Sequence, residues 1–306
     1  MIKNKSLALV FSIILILNFN SILKPLEIIK RGNFQFIIFK DQDPIANLLA
    51  DEILRIDTEI KRYFTFEYLI DSPIYIELVD AKNDEIIVKR DYIDLPKWIA
   101  AYAIPSESKI VMRYNSIGTY PYIELRAVLK HELVHIYLDR IVQDKRNQIP
   151  KWFQEGLAMY IGRKWGFDDY YQLTIGMMRI NYIPLKELES LFPQSEYEVR
   201  IAYAESFSFI NYIVKRYGEE SLKELLRRLS KGEKFYVVLK SLTKKSISDL
   251  EKDWIRETLK YYKWIPFIAS TYFLWIIITL FSIYIYWRKH RKKQLLYKKW
   301  EEEDML

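Results

Sequence analysis

The chain has no cysteine among its 306 residues, so no disulfide braces it and a folded domain must rest on its apolar core. Histidine is nearly as scarce, at three residues, and glycine is held to eight. No internal repeat or low-complexity tract stands out, which removes solenoid and array architectures. Half of the residues are hydrophobic and 16% are aromatic. Between its two ends, about 240 residues remain, enough to build a sizeable core without covalent staples.

Two of the three histidines fall in His131-Glu132-Leu133-Val134-His135. At that histidine frequency, a chance H-E-x-x-H in a chain of this length is on the order of a 1-in-500 event. On a helix, residues i and i+4 share one face, so both imidazoles can grip one Zn²⁺ while Glu132 leans to the same side as base toward an activated water. The flanking run Pro121–Asp139 reads as one helix, with Pro121 suited to its first turn and Thr119 to its N-cap. Leu125, Leu129, Leu133 and Ile136 form a core stripe, and Val128, His131 and His135 lie on the stripe beside it. The metal face would then border the core and open to a cleft.

Catalytic zinc keeps three protein ligands and an open position. Glu155, in Trp152-Phe153-Gln154-Glu155-Gly156-Leu157-Ala158, is the candidate third ligand. Pro150 can open a second helix there, and a carboxylate among such apolar neighbours needs a partner.

His-Glu-Leu-Val-His followed after about twenty residues by Trp-Phe-Gln-Glu-Gly-Leu-Ala resembles the gluzincin metallopeptidases, the group of thermolysin and the zinc aminopeptidases, and most of all the peptidase MA-like domain. The resemblance implies His131, His135 and Glu155 as zinc ligands and Glu132 as general base. It also implies a zincin-like α+β fold, with a mixed β/α N-lobe and a helical C-lobe around the metal helix. Trp98–Met112 looks like the family's upstream edge strand, and Ala202–Phe209 like the downstream helix that closes the site. Gluzincins place an oxyanion donor on that helix, which points to Tyr203, with Tyr197 and Arg200 behind it. The metzincin continuation is missing, since Leu138 and Ile141 stand where its Gly and His would be. The Gly and Glu of the aminopeptidase G-x-M-E-N segment are absent from Val111–Asn115, so an endopeptidase is expected. Met159 stands where thermolysin-type enzymes carry an orienting Asp; Asp139, one turn beyond His135, is either a substitute for it or, as the better reading, a solvated charge.

The run Trp264–Trp287 holds 24 residues without a charge. That is long enough to cross a hydrocarbon core of about 30 Å, and its terminal tryptophans suit the interfacial belts. Arg288, Lys289, Arg291, Lys292, Lys293, Lys298 and Lys299 follow, which places the tail in the cytoplasm by the positive-inside rule and the large domain outside. At the other end, Lys3 and Lys5 precede an uncharged run Ser6–Leu23, which reads as a signal peptide or an N-terminal anchor. The expected organisation is thus 1–24 signal peptide or anchor, 25–262 extracytoplasmic peptidase domain, 263–287 transmembrane helix and 288–306 basic cytoplasmic tail. The two ends hold nine of the 47 basic residues and four of the 40 acidic ones, leaving 38 against 36 between them. The pI of 9.1 therefore reflects membrane topology and not a nucleic-acid surface. His290 sits in the tail and is not a ligand, while the tail's cations suit anionic lipid head groups.

Within the domain, periodicity predicts a strand over Phe34–Lys40, a helix over Asp43–Phe64, a strand over Pro73–Val79 with a possible return at Glu85–Lys89, and strands within Tyr102–Tyr114. Helices are predicted over Trp152–Arg163, Tyr170–Met178, Leu185–Leu191, Ala202–Tyr217, Ser221–Ser230, Phe235–Leu242 and Ile247–Tyr262. The expected function is a membrane-anchored zinc metallopeptidase acting on peptide or protein substrates at the cell envelope. The rival is a non-catalytic zinc- or peptide-binding protein on the same scaffold. An intramembrane protease is excluded, because Glu124, Arg126, Lys130 and Asp139 flank the motif and are costly in lipid.

Overall fold

Apolar residues alternate along the first strands and recur every three to four positions in the helices, and this change of period divides the domain. The computed structural model describes residues 26–39, 43–64, 72–79, 99–113, 124–142, 149–164, 166–177, 182–193, 195–262 and 270–303. The expected N-terminal segment, the return strand at Glu85–Lys89 and the helix start at Thr119 and Pro121 lie outside them.

Strands β1 (Leu26–Arg31) and β2 (Phe34–Phe39) form an antiparallel hairpin, closed at Gly32, whose φ of +56° suits a residue without Cβ. Helix α1 (Asp43–Lys61) crosses to β3 (Ile74–Val79), which pairs parallel with β2. The short β4 (Ala101–Ile104) and β5 (Lys109–Arg113) are antiparallel, and β5 lies parallel to β3. Among the described residues the strand order is β1-β2-β3-β5-β4, with β4 at the end of that sheet. One face buries Phe34, Phe36, Ile38, Ile74, Ile76, Leu78, Ile110 and Met112 in the main core; Val79, Tyr102 and Val111 pack together on the other. Strand β1 was not among the expected elements. Its signal was the Gly32-Asn33 pair between two apolar runs.

Helix α2 (Leu125–Ile141) lies beside β4 and α1. The helix begins later than the expected Pro121, because Glu124 is extended at its N-cap (φ −131°, ψ 136°), and it runs past Asp139 to Ile141. It buries Leu129, Leu133 and Ile136, as its periodicity predicts. Ion pairs fasten its outer side: Arg126 meets Glu52 at 3.0 Å and Glu59 at 2.7 Å, and Lys130 meets Glu59 at 2.9 Å. On α1, Ala46, Leu49, Ala50, Ile53, Ile56 and Ile60 form the buried face, while Leu48, which has the same helical spacing, is 58% exposed.

Helices α3 (Lys151–Gly162), α4 (Phe167–Ile175), α5 (Glu196–Tyr217), α6 (Glu219–Ser230), α7 (Phe235–Thr243) and α8 (Ile247–Tyr262) build the second half. Trp152 and Phe153 of α3 pack edge-on against Phe235, and Trp152 also meets Phe209, giving the helical half an aromatic centre. The expected helix over Leu185–Leu191 is instead a run of turns. Pro184 and Pro193 bound it, and its Leu188 and Glu189 carbonyls accept from the Trp152 and Lys151 N–H groups of α3. We call residues 182–193 the strap.

Helix α9 (Thr271–Glu303) follows. Its stretch Thr271–Tyr297 is long and apolar enough to cross a membrane and is not buried against the rest of the chain. Residues 264–269 of the expected span lie outside the described ones. The helix does not stop at Trp287 but runs on through the basic residues. The architecture is thus a mixed α+β domain with one apolar C-terminal helix.

Candidate metal centre

The period of α2 turns its motif inward at the junction of the two halves. His131 and Glu132 are both buried, and His135 nearly so. Glu155 comes from α3, which crosses α2. Its position depends on Gly156. A Cβ there would lie 2.5 Å from the Ser206 carbonyl oxygen and 2.8 Å from Ile210 Cγ1, so α3 and α5 approach as closely as they do only because the residue after Glu155 has no side chain. The Glu-Gly pair is therefore one structural unit, the glycine admitting the helix that delivers the carboxylate.

The His131 and His135 Nε2 atoms stand 3.2 Å apart, and Glu155 Oε2 is 3.3 Å from the first and 3.4 Å from the second. Glu155 is 4% exposed, and its Oε2 faces the two imidazoles rather than solvent. A buried carboxylate charge is costly unless a cation balances it. The chemistry of the set fits one. Four donors arranged tetrahedrally at about 2.0–2.1 Å from an ion are about 3.3 Å from each other, and the three sides found here have that length. Among the described residues, His131, His135 and Glu155 form the group of ligand side chains able to hold a metal.

Charge around the set is uneven. Burial alone would push the Glu155 carboxyl up, but Lys151 and His135 beside it hold it well below the usual carboxylate range. Lys151 Nζ meets Glu155 Oε1 at 2.6 Å, and the Glu155 charge in turn pushes the Lys151 ammonium up. Burial pushes Glu132 up to about 7, against the opposing pull of His131; the neighbouring Glu155 adds to the rise, and the Ala103 backbone N–H works against it.

These groups line a cleft of about 740 Å³, together with Tyr102 and Ala103 of β4 and Tyr203 of α5. The Tyr203 ring lies 6.2 Å from the His131 ring, centroid to centroid, and packs on Phe192 of the strap. Asp139 is exposed on the cleft wall. Tyr197 and Arg200 are not among the lining residues; Tyr197 faces solvent, and Arg200 pairs with Glu196. Sequence reasoning missed Lys151, although it stands one turn before Glu155 on the same face, a legible i,i+4 pair. It also missed the strap, whose Glu189 and Ser190 reach the cleft.

The family described as the Peptidase MA superfamily matches residues 92–260, more than half of the chain and a span that includes His131, His135 and Glu155. A curated protein of Bacillus subtilis (strain 168), "Uncharacterized protein YhcO", is 26% identical over 155 residues, covering 49% of this chain. Those residues span 45% of the relative's length.

Proposed function

The chain belongs to the Peptidase MA superfamily, and from that premise we propose that it is a membrane-anchored zinc metallopeptidase that cuts within polypeptides. The observation that carries this reading is the triangle of His131, His135 and Glu155 donor atoms with Glu132 beside it in one cleft. Two imidazoles and a carboxylate are a zinc donor set, and zinc held by them would supply a Lewis acid that polarises a carbonyl and acidifies water.

The chain's own residues supply the rest. Glu132 takes the proton of the attacking water as oxygen adds to the scissile carbonyl, then gives it to the amine as the C–N bond breaks. Tyr203 donates its hydroxyl hydrogen to the oxyanion that forms between those events. Because β4 lies at the end of the described sheet and lines the cleft, an extended peptide adds alongside Tyr102–Ile104 and is held by backbone hydrogen bonds.

Helix α9 crosses the bilayer, with the cations at 288–293 on the cytoplasmic side and the peptidase domain outside. Substrates are then peptides or proteins of the cell envelope. The test is Glu132→Gln in the full-length protein. Zinc content should match the wild type while peptide turnover falls by about 10²–10⁴, the usual contribution of a general base. A zinc-loaded variant that cuts at the normal rate would overturn the reading.

A further inference from the structure

Lys151 occupies a position that local rules disfavour. It is the first residue of α3, where the helix dipole favours an anion, and the first turn carries no acidic residue. Pro150 gives no side-chain cap; instead, the Lys151 and Trp152 N–H groups donate to the Glu189 and Leu188 carbonyls of the strap at 2.8 and 3.0 Å. The backbone that carries Lys151 is therefore fixed from outside the helix. From there the ammonium reaches Glu155 Oε1 at 2.6 Å, while Oε2 of the same carboxylate turns toward the two imidazoles. One oxygen is thus occupied by a cation of the chain itself, and the other is left to face the two imidazoles.

We infer that Lys151 is a positioning residue that clamps Glu155 by one oxygen, so that the carboxylate offers a single ligand atom to the metal and is already in place before the metal arrives. This rests on the reading of His131, His135 and Glu155 as metal ligands. Without the clamp, both oxygens of Glu155 would be available to one ion, and its rotamer would be set only by binding. A coordination position that the clamp leaves open for a substrate oxygen would then be filled by the second carboxylate oxygen.

The experiment uses full-length protein and reads metal binding rather than turnover. Zinc affinity is measured by competition with a chelator, and coordination is read from the visible spectrum of the cobalt-substituted protein, whose intensity falls as the site gains ligands beyond four. Lys151→Met is expected to weaken zinc binding by about 10- to 100-fold, the usual cost of losing a group that orients a ligand, and to lose most of the cobalt absorbance. Lys151→Arg keeps charge and donors and should stay near the wild type in both. Lys151→Gln keeps a donor without the charge and should fall between them; it also serves where the Met variant does not fold. A folded Lys151→Met or Lys151→Gln protein with wild-type zinc affinity and an unchanged cobalt spectrum overturns the clamp while leaving the metal centre standing. Wild-type protein that takes up no metal would instead sink the metal centre, and the clamp with it.

Discussion

Helix α3 and the apolar part of α9 are both poor in charge, yet only α3 finds cover within the chain. Helix α3 buries Trp152, Phe153, Leu157, Ala158 and Ile161 against other helices, and its one buried acid is matched by named partners. In α9, Trp275 and Phe281 are both 62% exposed, as are their neighbours all round the helix. Its Thr279 and Ser282 hydroxyls donate back to the Trp275 and Ile278 carbonyls of the same helix at 2.8 Å, which suits a segment whose surroundings offer no partner. In α3 the identity of single residues decides the outcome. In α9 length and composition do. Damage to one region should therefore leave the other's behaviour intact.

The largest effect that sharpens this contrast is Glu132→Gln: turnover falls by about 10²–10⁴, while the protein still fractionates with membranes. Tyr203→Phe should lower kcat by about 10²–10³, as loss of an oxyanion donor does, with zinc content unchanged in metal analysis. Gly156→Ala forces a Cβ against backbone at 2.5 Å and should cost about 1–3 kcal/mol, read as a lowered Tm in calorimetry.

Glu205 supplies a pH test. It is wholly buried in α5, accepts from the Ile183 N–H of the strap, and is raised well above 4.5, by burial first and also by Glu251, against the pull of that N–H. The folded state thus holds a proton that the unfolded state gives up, so stability falls as pH rises above 4.5 toward the folded-state value. Besides Glu251, the titratable group facing it is Tyr182. Glu205→Gln should raise Tm near neutral pH, and the gap should close as pH falls below 4.5. The smallest effect expected is from removing both ends and producing residues 25–262 alone. The protein should leave the membrane fraction with kcat/KM on a soluble peptide unchanged; loss of activity would break the separation of the two regions.

Much of this was legible before any coordinates. The i,i+4 histidines fixed a helical face, and α2 buries the stripe that the period predicts. The bounds of α5, α6, α7 and α8 lie within a few residues of their expected ends, or further at the start of α5, because one apolar face runs through each. What stayed hidden was decided by tertiary partners. The strap looks helical by pattern, but its carbonyls are spent on the N-terminus of α3. Leu48 fits the spacing of α1 yet stays 58% exposed. Lys151 reads as a solvated charge until Glu155 is seen to be buried one turn away. The role of Gly156 depends on α5, some fifty residues further along the chain.

The most direct measurement is the metal content of the purified full-length protein. One zinc per chain is expected, lost on replacing His135 or Glu155 by alanine and kept in Glu132→Gln. Protein that is folded, pure and free of any stoichiometric transition metal would contradict the account.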